Sequence, residues 1–275
     1  MSNLKTKIKF WGVRGSFPSP REDTVIYGGH TSCVEIRTPE NELIILDMGT
    51  GLIDLGRSID SEENPPKTAH AIISHYHWDH LFGFLGFNPL FDSEFTFNMY
   101  GKEDKMTPQE IIQYIQNHTF WPVDMSMLKA NVNLNLFPEN GLKIKDNISI
   151  ESSLHGHPNG ANSYKIKINE KIIAYSTDCE HPEGLNKNVI ENARNSDILI
   201  HDAQYHGSEL SKYRGWGHSS WEQAVEVAKL SNTKQLILFH HDPFRSDDEL
   251  FQIEKQAQEL FPNTIMAKQG LEIIL

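Results

Sequence analysis

His75, His77, Asp79 and His80 put four metal-coordinating side chains into six consecutive positions of the stretch "AIISHYHWDHLFGF". On an extended segment, residues two apart project from the same side, so His75 and His77 face together. Asp79 and His80 follow on a turn into an expected helix, which swings them toward the same point. Neutral imidazole and carboxylate suit zinc, with manganese and iron as alternatives. Solvation in a loop would account for any one of these residues. Their types, their spacing and the apolar run before them are accounted for together by metal binding. Fourteen histidines in 275 residues, about twice an ordinary chain's share, point the same way.

Such groups need a scaffold, and the sequence repeats one format five times: a short run rich in Ile and Leu ends on a carboxylate or an imidazole. It appears as "ELIILD" at Asp47, "AIISH" at His75, "KIIAYSTD" at Asp178, "DILIHD" at His201 and Asp202, and "KQLILFHHD" at His240, His241 and Asp242. Apolar runs of this length, bounded by turn signals, read as buried strands. In helix-covered sheets, ligands collect at the carboxyl ends of the strands. Helices fill the intervals. "SSWEQAVEVAKL" carries Trp221, Ala224, Val225 and Ala228 on one face, with Ser219 and Glu222 read as a capping box. Ser246 and Glu249 repeat the device ahead of Leu250, Ile253, Ala257 and Leu260. The first 45 residues read as strands and turns punctuated by Gly and Pro.

With 38% hydrophobic and 23% charged residues, the composition is that of a soluble globular protein. The net charge of −12 argues against a non-specific nucleic-acid or anionic-membrane surface. It leaves room for a small anionic substrate, because bound metal ions invert the local field. The segment "MSNLKTKIKFWG" lacks a signal peptide's apolar core, and no run approaches a membrane span. Two cysteines, Cys33 and Cys179, make no disulfide framework, so the cytoplasm is the expected location.

"SHYHWDH" resembles the signature of the metallo-β-lactamase superfamily, and four further motifs follow the family's order: "LDMGTG", "GHPNGANSYKI", "STDCEHPEG" and "LILFHHDP". The resemblance covers nearly the whole chain. It implies an α/β (α+β) fold, a four-layer αββα sandwich whose two strand-rich halves hold metals at a shared edge. Residues 1–275 would form a single domain with a cap-like segment near 85–130. By the same carry-over His75, His77 and His157 hold one divalent ion, and Asp79, His80 and His240 hold the other. Asp178 and a hydroxide nucleophile bridge the two, Asp79 counts among the catalytic residues, and Asp47 orients the ligands. His155 competes with His157, and His241 with His240; direction of projection favours His157 and His240. The resemblance implies two zinc ions, with manganese or iron as alternatives. An aspartate rather than a cysteine at the fourth motif separates phosphodiesterase-like members from antibiotic-cleaving ones. A histidine at position 77 separates the chain from flavodiiron redox proteins, whose motif carries Glu there.

"ILIHDAQY" and "RGWGHSSWEQA" resemble elements of ribonuclease Z in which an acid supports a proton-donating histidine, which implies Asp202 and His218 in those roles. His218 just ahead of a helix would also feel its dipole. Ribonuclease Z carries a long tRNA-gripping arm between its third and fourth motifs. Here only 21 positions separate His157 from Asp178, and "SYKIKINEKIIAY" fills them as a tight hairpin. With the net charge of −12 this makes tRNA an awkward partner, and the opening "GVRGSFPSP" to "YGGHTSCVEI" and the ending "FHHDP" resemble instead cyclic-nucleotide and other small-phosphodiester hydrolases. That resemblance implies a small phosphodiester such as a cyclic nucleotide as substrate, with no membrane and no large nucleic acid as partner, and with a homodimer admitted. Aromatic residues between the second and third motifs offer faces on which a base would stack or a cap would pack. Arg14, Arg214 and Arg245 flank motifs as phosphate-clamp candidates. Three alternatives remain: a hydrolase of carboxylic esters or thioesters on the same metals, a tRNA 3′-processing endonuclease, and a non-catalytic metal-binding regulator.

Overall fold

In a computed structural model describing residues 5–103 and 105–275, every one of the Ile- and Leu-rich runs is a strand. The chain sorts into two units. The first contains the chain up to Gly12, His30–Phe137 and Gly270–Leu275; the second contains Val13–Gly29 and Pro138–Gln269.

In the first unit the strands are β1 (Lys7–Gly12), β2 (Cys33–Arg37), β3 (Leu43–Leu46), β4 (Thr68–Ile72), β5 (Thr96–Gly101) and β6 (Asn131–Leu136). The C-terminal strand Glu272–Ile274 lies against β1, and the sheet then runs in order to β6. β3, β4, β5 and β6 are parallel, with Leu46 opposite Ile72, so the chains leaving β3 and β4 emerge at one edge. β2 and β3 are buried at every residue, as strands covered on both faces require. Helix α1 (Gly51–Asp60) buries Leu52, Leu55, Gly56 and Ile59, one face at helical spacing, in a core with Phe84, Phe87 and Phe97. Within residues 85–130, expected as a cap, β5 is part of the sheet, because Phe97 and Met99 alternate inward. Helix α2 (Pro108–Ile115) follows, opened by a Thr107–Glu110 capping box.

In the second unit, β7 (Leu142–Lys145), β8 (Ile148–His155), β9 (Ala161–Ile168) and β10 (Lys171–Ser176) form an antiparallel meander. β9 and β10 are the expected hairpin, turning at Asn169, whose φ is 52°. Then β11 (Ile198–Asp202), β12 (Leu236–Phe239) and β13 (Thr264–Met266) continue the sheet in parallel with β10. Helices α3 (Lys187–Ala193), α4 (Trp221–Leu230) and α5 (Asp247–Leu260) bury Val189, Ala224, Val225, Leu250 and Ile253 against Ala174, Leu199 and Leu238. The α5 cap is Ser246 with Glu249, as expected. The α4 cap is not: Ser220 and Gln223 form the box in place of Ser219 and Glu222. Ser219 is already committed, its N–H donating to Asp202 and its hydroxyl to the Cys179 carbonyl. Among the described residues no helix is long and apolar enough to cross a membrane.

Candidate metal centre

The first unit supplies one ligand set. Beyond β4 the chain bends at Ser74 and is extended at His77, with the ring centroids of His75 and His77 4.5 Å apart. The expected helix after Asp79 is instead a 3₁₀ turn, Trp78–His80, followed by a second one, Phe82–Gly86. The tight turn is fixed by backbone bonds from His80 to His77 and from Met48 to the His80 carbonyl. Gly49 lies so close beneath it that a Cβ there would meet the Asp79 carbonyl and Thr31. The turn carries Asp79 and His80 inward, both buried, with the His80 ring 4.3 Å from that of His75.

Asp47, directly after β3, holds this arrangement. Its carboxylate accepts the Ser74 N–H at 2.7 Å, the Ser74 hydroxyl at 2.8 Å and His80 Nδ1 at 2.8 Å. Ser74 Oγ lies 3.1 Å from His75 Nδ1. With both Nδ1 atoms donating, His75 and His80 turn Nε2 away as the coordinating atom, the arrangement metal-binding imidazoles need. Replacing Asp47 with alanine is expected to weaken metal affinity roughly 10–100-fold, measured by chelator competition.

The second unit supplies another set. Asp178 follows β10 and His240 follows β12, both in the left-handed region, with φ of 52° and 59°. His240 Nδ1 meets Gln204 Oε1 at 3.0 Å, which leaves Nε2 facing Asp178 Oδ2 at 3.1 Å. A nitrogen lone pair beside a carboxylate oxygen is an arrangement that a cation relieves. His80 Nε2 and Asp79 Oδ2, at 3.2 Å, repeat it in the first unit. The donors are imidazole nitrogens and carboxylate oxygens, so the residues present fit a divalent metal. His157 donates from Nδ1 to the Gly217 carbonyl at 3.0 Å, again turning Nε2 outward. Gly217 has a φ of 90°, and a Cβ there would run into the His157 ring.

Asp202, at the end of β11, is the hub. It accepts backbone N–H groups from Asp178 at 3.1 Å, Gln204 at 3.1 Å and Ser219 at 2.9 Å, and His218 Nδ1 at 2.9 Å. The His218 ring stacks on His240 with centroids 5.0 Å apart, and its Nδ1 is 3.8 Å from Asp178. Asp178, Asp202, His218 and His240 thus form one buried cluster.

The neighbouring candidates lie elsewhere. His241 donates from Nε2 to the Ala267 carbonyl, and burial beside Arg14 pushes its pKa down to about 3. His155 is buried, with its pKa pushed down to about 4 by loss of solvent and by His157. Arg14 is fully buried and donates to the carbonyls of Gly28, Asp242 and Arg245, while Arg245 bonds Gln204 and Glu209. Both are spent on the fold. Arg214 is exposed and lines a cavity of about 220 Å³ shared with His218, Tyr213 and Glu180. The sequence reading did not name Ser74, Gln204 or the Gly217 carbonyl, which hold the imidazoles. Ser74 adjoins His75 and Gln204 lies in "HDAQY", so two of the three had a local signal.

Beneath this set, Cys179, His181 and His201 form a further buried group. Loss of solvent, then His201 and His155, push the His181 imidazole down to about 3. Below its ordinary pKa of about 6.5, the unfolded chain takes up a proton that folded His181 refuses. This contribution to stability is complete above that pH. It is lost by up to about 1.4 kcal/mol per pH unit as pH falls toward the folded value. Denaturant titrations at neutral and mildly acidic pH should show that slope added to those of His155 and His241, and His181→Gln should reduce the total by the His181 share.

A family model described as the beta-lactamase superfamily domain matches residues 44–241. Ribonuclease Z of Enterococcus faecalis is 39% identical over 82 residues, 30% of this chain and 26% of that protein. Ribonuclease Z of Azobacteroides pseudotrichonymphae is 26% identical over 298 residues, 96% of this chain and 97% of that protein. The chain thus aligns with about a quarter of the first relative and nearly all of the second. Among solved structures, the metallo-beta-lactamase fold protein YhfI from Bacillus subtilis matches at a TM-score of 0.71 and 20% identity, over 98% of this chain and 99% of that one. A diphosphatase of the PhnP family matches at 0.73 and 15%, over 99% and 98%. At these identities the likeness establishes the fold, and it is the class expected from the sequence.

Proposed function

The chain belongs to the metallo-β-lactamase superfamily and is a metallo-hydrolase, and from that premise we propose that it is a binuclear phosphodiesterase of the cytoplasm acting on a small anionic phosphodiester, cyclic nucleotides first among the candidates. His75, His77 and His157 would hold one ion and Asp79, His80 and His240 the other, with Asp178 shared and zinc the proposed metal. Such ions supply Lewis acidity and a water-derived nucleophile at neutral pH.

The observation that carries the reading is His218, held on Asp202 at 2.9 Å and stacked on His240 at 5.0 Å. Cleaving a P–O bond expels an alkoxide that needs a proton. With Nδ1 bonded to the Asp202 carboxylate, the imidazolium is stabilised and Nε2–H is the donor. Asp202 is kept in place by its three backbone N–H partners. Arg214, exposed on the cavity that His218 lines, is placed to attract an anion. The short β9–β10 hairpin and the net charge of −12 favour a small substrate over a long RNA. A large RNA is the second reading, favoured by ribonuclease Z relatives that align along the whole chain.

The test is metal content per chain together with turnover of bis(p-nitrophenyl) phosphate, a cyclic-nucleotide panel and a 3′-extended tRNA. The expected result is two metals per chain and cyclic-nucleotide cleavage that chelation abolishes, with the tRNA left intact. Processing of the tRNA would move the assignment to the second reading. Two metals without phosphodiester cleavage would move it to esters and thioesters.

A further inference from the structure

The first unit holds a second feature beside its ligand turn: a cavity of about 460 Å³ lined by Trp78, Phe82, Leu85, Ile115, Phe120 and Trp121. Pockets of about 300–1,000 Å³ take small organic ligands. Trp78 stands between His77 and Asp79, and Phe82 lies two positions past His80. One wall of the cavity is therefore the same 3₁₀ turn that presents the metal-binding side chains. The opposite wall is the loop after α2, where Asn117 ties down the N–H groups of Phe120 and Trp121 at 2.8 and 2.9 Å. Tyr114 packs on Phe120 with ring centroids 6.4 Å apart.

These aromatic residues are held in place yet not covered. Trp78 is 53% exposed, Phe82 47% and Phe120 64%. A cap that merely packed on its sheet would bury such rings, as Phe87, Phe95 and Phe97 are buried in the same unit. The lining offers flat faces and, apart from two indole N–H groups, no hydrogen-bonding side chain.

We infer that this cavity receives a planar aromatic group of the substrate, a nucleobase or an aryl ring, by stacking and without reading which base it is. The inference rests on the phosphodiesterase reading and specifies the substituent that the phosphodiester carries. Stacking on aromatic side chains is tolerant of base identity because every base has a π-face, and each such contact is worth about one to two decades of affinity. Trp78 is one residue from two proposed ligands, about 3.8 Å in Cα spacing. A ring joined to the reacting phosphorus directly or through a sugar would lie beside it.

The experiment has a kinetic arm and a binding arm. In the metal-loaded enzyme, Phe120→Ala and Trp78→Ala should each raise KM for bis(p-nitrophenyl) phosphate about ten-fold while metal content stays constant. Phe120→Ala, well separated in sequence from the ligand turn, should leave kcat within about three-fold. In the metal-free protein, saturation-transfer NMR should detect adenosine, cytidine, guanosine, uridine and p-nitrophenyl phosphate, with the four nucleosides within about three-fold of one another. Both substitutions should weaken those signals. Response to the aryl phosphate alone would assign the group as aryl; response to the nucleosides as well would assign a base.

Wild-type turnover with KM and nucleoside signals unchanged in both variants would overturn the pocket while leaving the phosphodiesterase reading intact. Octyl phosphate binding as well as the aromatic probes would overturn it in favour of an alkyl chain, and a ten-fold preference for one base would overturn the indifference to base. Absence of wild-type phosphodiester turnover would remove the proposed activity, with the binding arm still deciding the pocket.

Discussion

Replacing His218 with alanine lowers kcat for a cyclic nucleotide about 10²- to 10⁴-fold, the usual worth of a general acid, while the metal count per chain is unchanged. The fold should tolerate the change, because Asp202 keeps its N–H donors from Asp178, Gln204 and Ser219. The vacated space opens onto a cavity of about 220 Å³ that His218 already lines, so water can fill it. The loss depends on the leaving group. An alkoxide needs the proton, whereas p-nitrophenolate departs as a stable anion, so bis(p-nitrophenyl) phosphate should lose less than about ten-fold. Imidazole added to the medium should restore part of the cyclic-nucleotide activity. Equal losses on both substrates would assign His218 to positioning rather than to proton transfer.

Replacing Asp178 with asparagine is expected to cut metal content from two ions to at most one and kcat/KM by on the order of 10³, about 4 kcal/mol of transition-state stabilisation. The amide has the shape of the carboxylate without its charge. Asp178 touches Thr177 at 2.6 Å and His240 at 3.1 Å, and its backbone N–H reaches Asp202 at 3.1 Å, so one substitution affects the whole cluster. The stability change has opposite signs in the two states. Without metal, Asp178 and Asp202 are two buried carboxylates in one cluster, and removing one charge relieves repulsion. The metal-free variant should therefore melt at or above the metal-free wild type. With metal present it should melt below the metal-loaded wild type, because the ions bind the native state less tightly. A fall in both states would indicate a damaged fold instead.

Much of this molecule was legible in its sequence because its strands are short apolar runs whose last residue changes character abruptly. "ELIILD" and "DILIHD" announce both the strand and the group it delivers. The β9–β10 hairpin was legible for a similar reason, since "INEK" breaks an alternating pattern with turn residues. Other features depend on contacts that no local pattern encodes. Ser219 and Ser220 are equally good caps in sequence, and the choice between them is made by Asp202, which takes the Ser219 N–H. The segment after Asp79 has the composition of a helix, but Gly83 and Gly49 approach each other closely enough to impose tight 3₁₀ turns. The Gly217 carbonyl that orients His157 lies 60 positions away along the chain, beyond the reach of any spacing argument.

Asp47, Asp178 and His240 share a backbone state that has a consequence for anyone engineering this protein. Each is a non-glycine residue at a φ between 52° and 60°, and each such residue costs on the order of 1 kcal/mol. Glycine would relieve that backbone state but would leave buried groups without partners: the Ser74 N–H and hydroxyl and His80 Nδ1 at Asp47, and the Thr177 hydroxyl at Asp178. Each orphaned buried donor costs about 1–3 kcal/mol, more than the strain recovered. At these positions the side chain's own bonds hold the backbone in its unfavourable state, so durability and chemistry ask for the same residue. A library built for robustness should therefore hold them fixed and vary the helices instead.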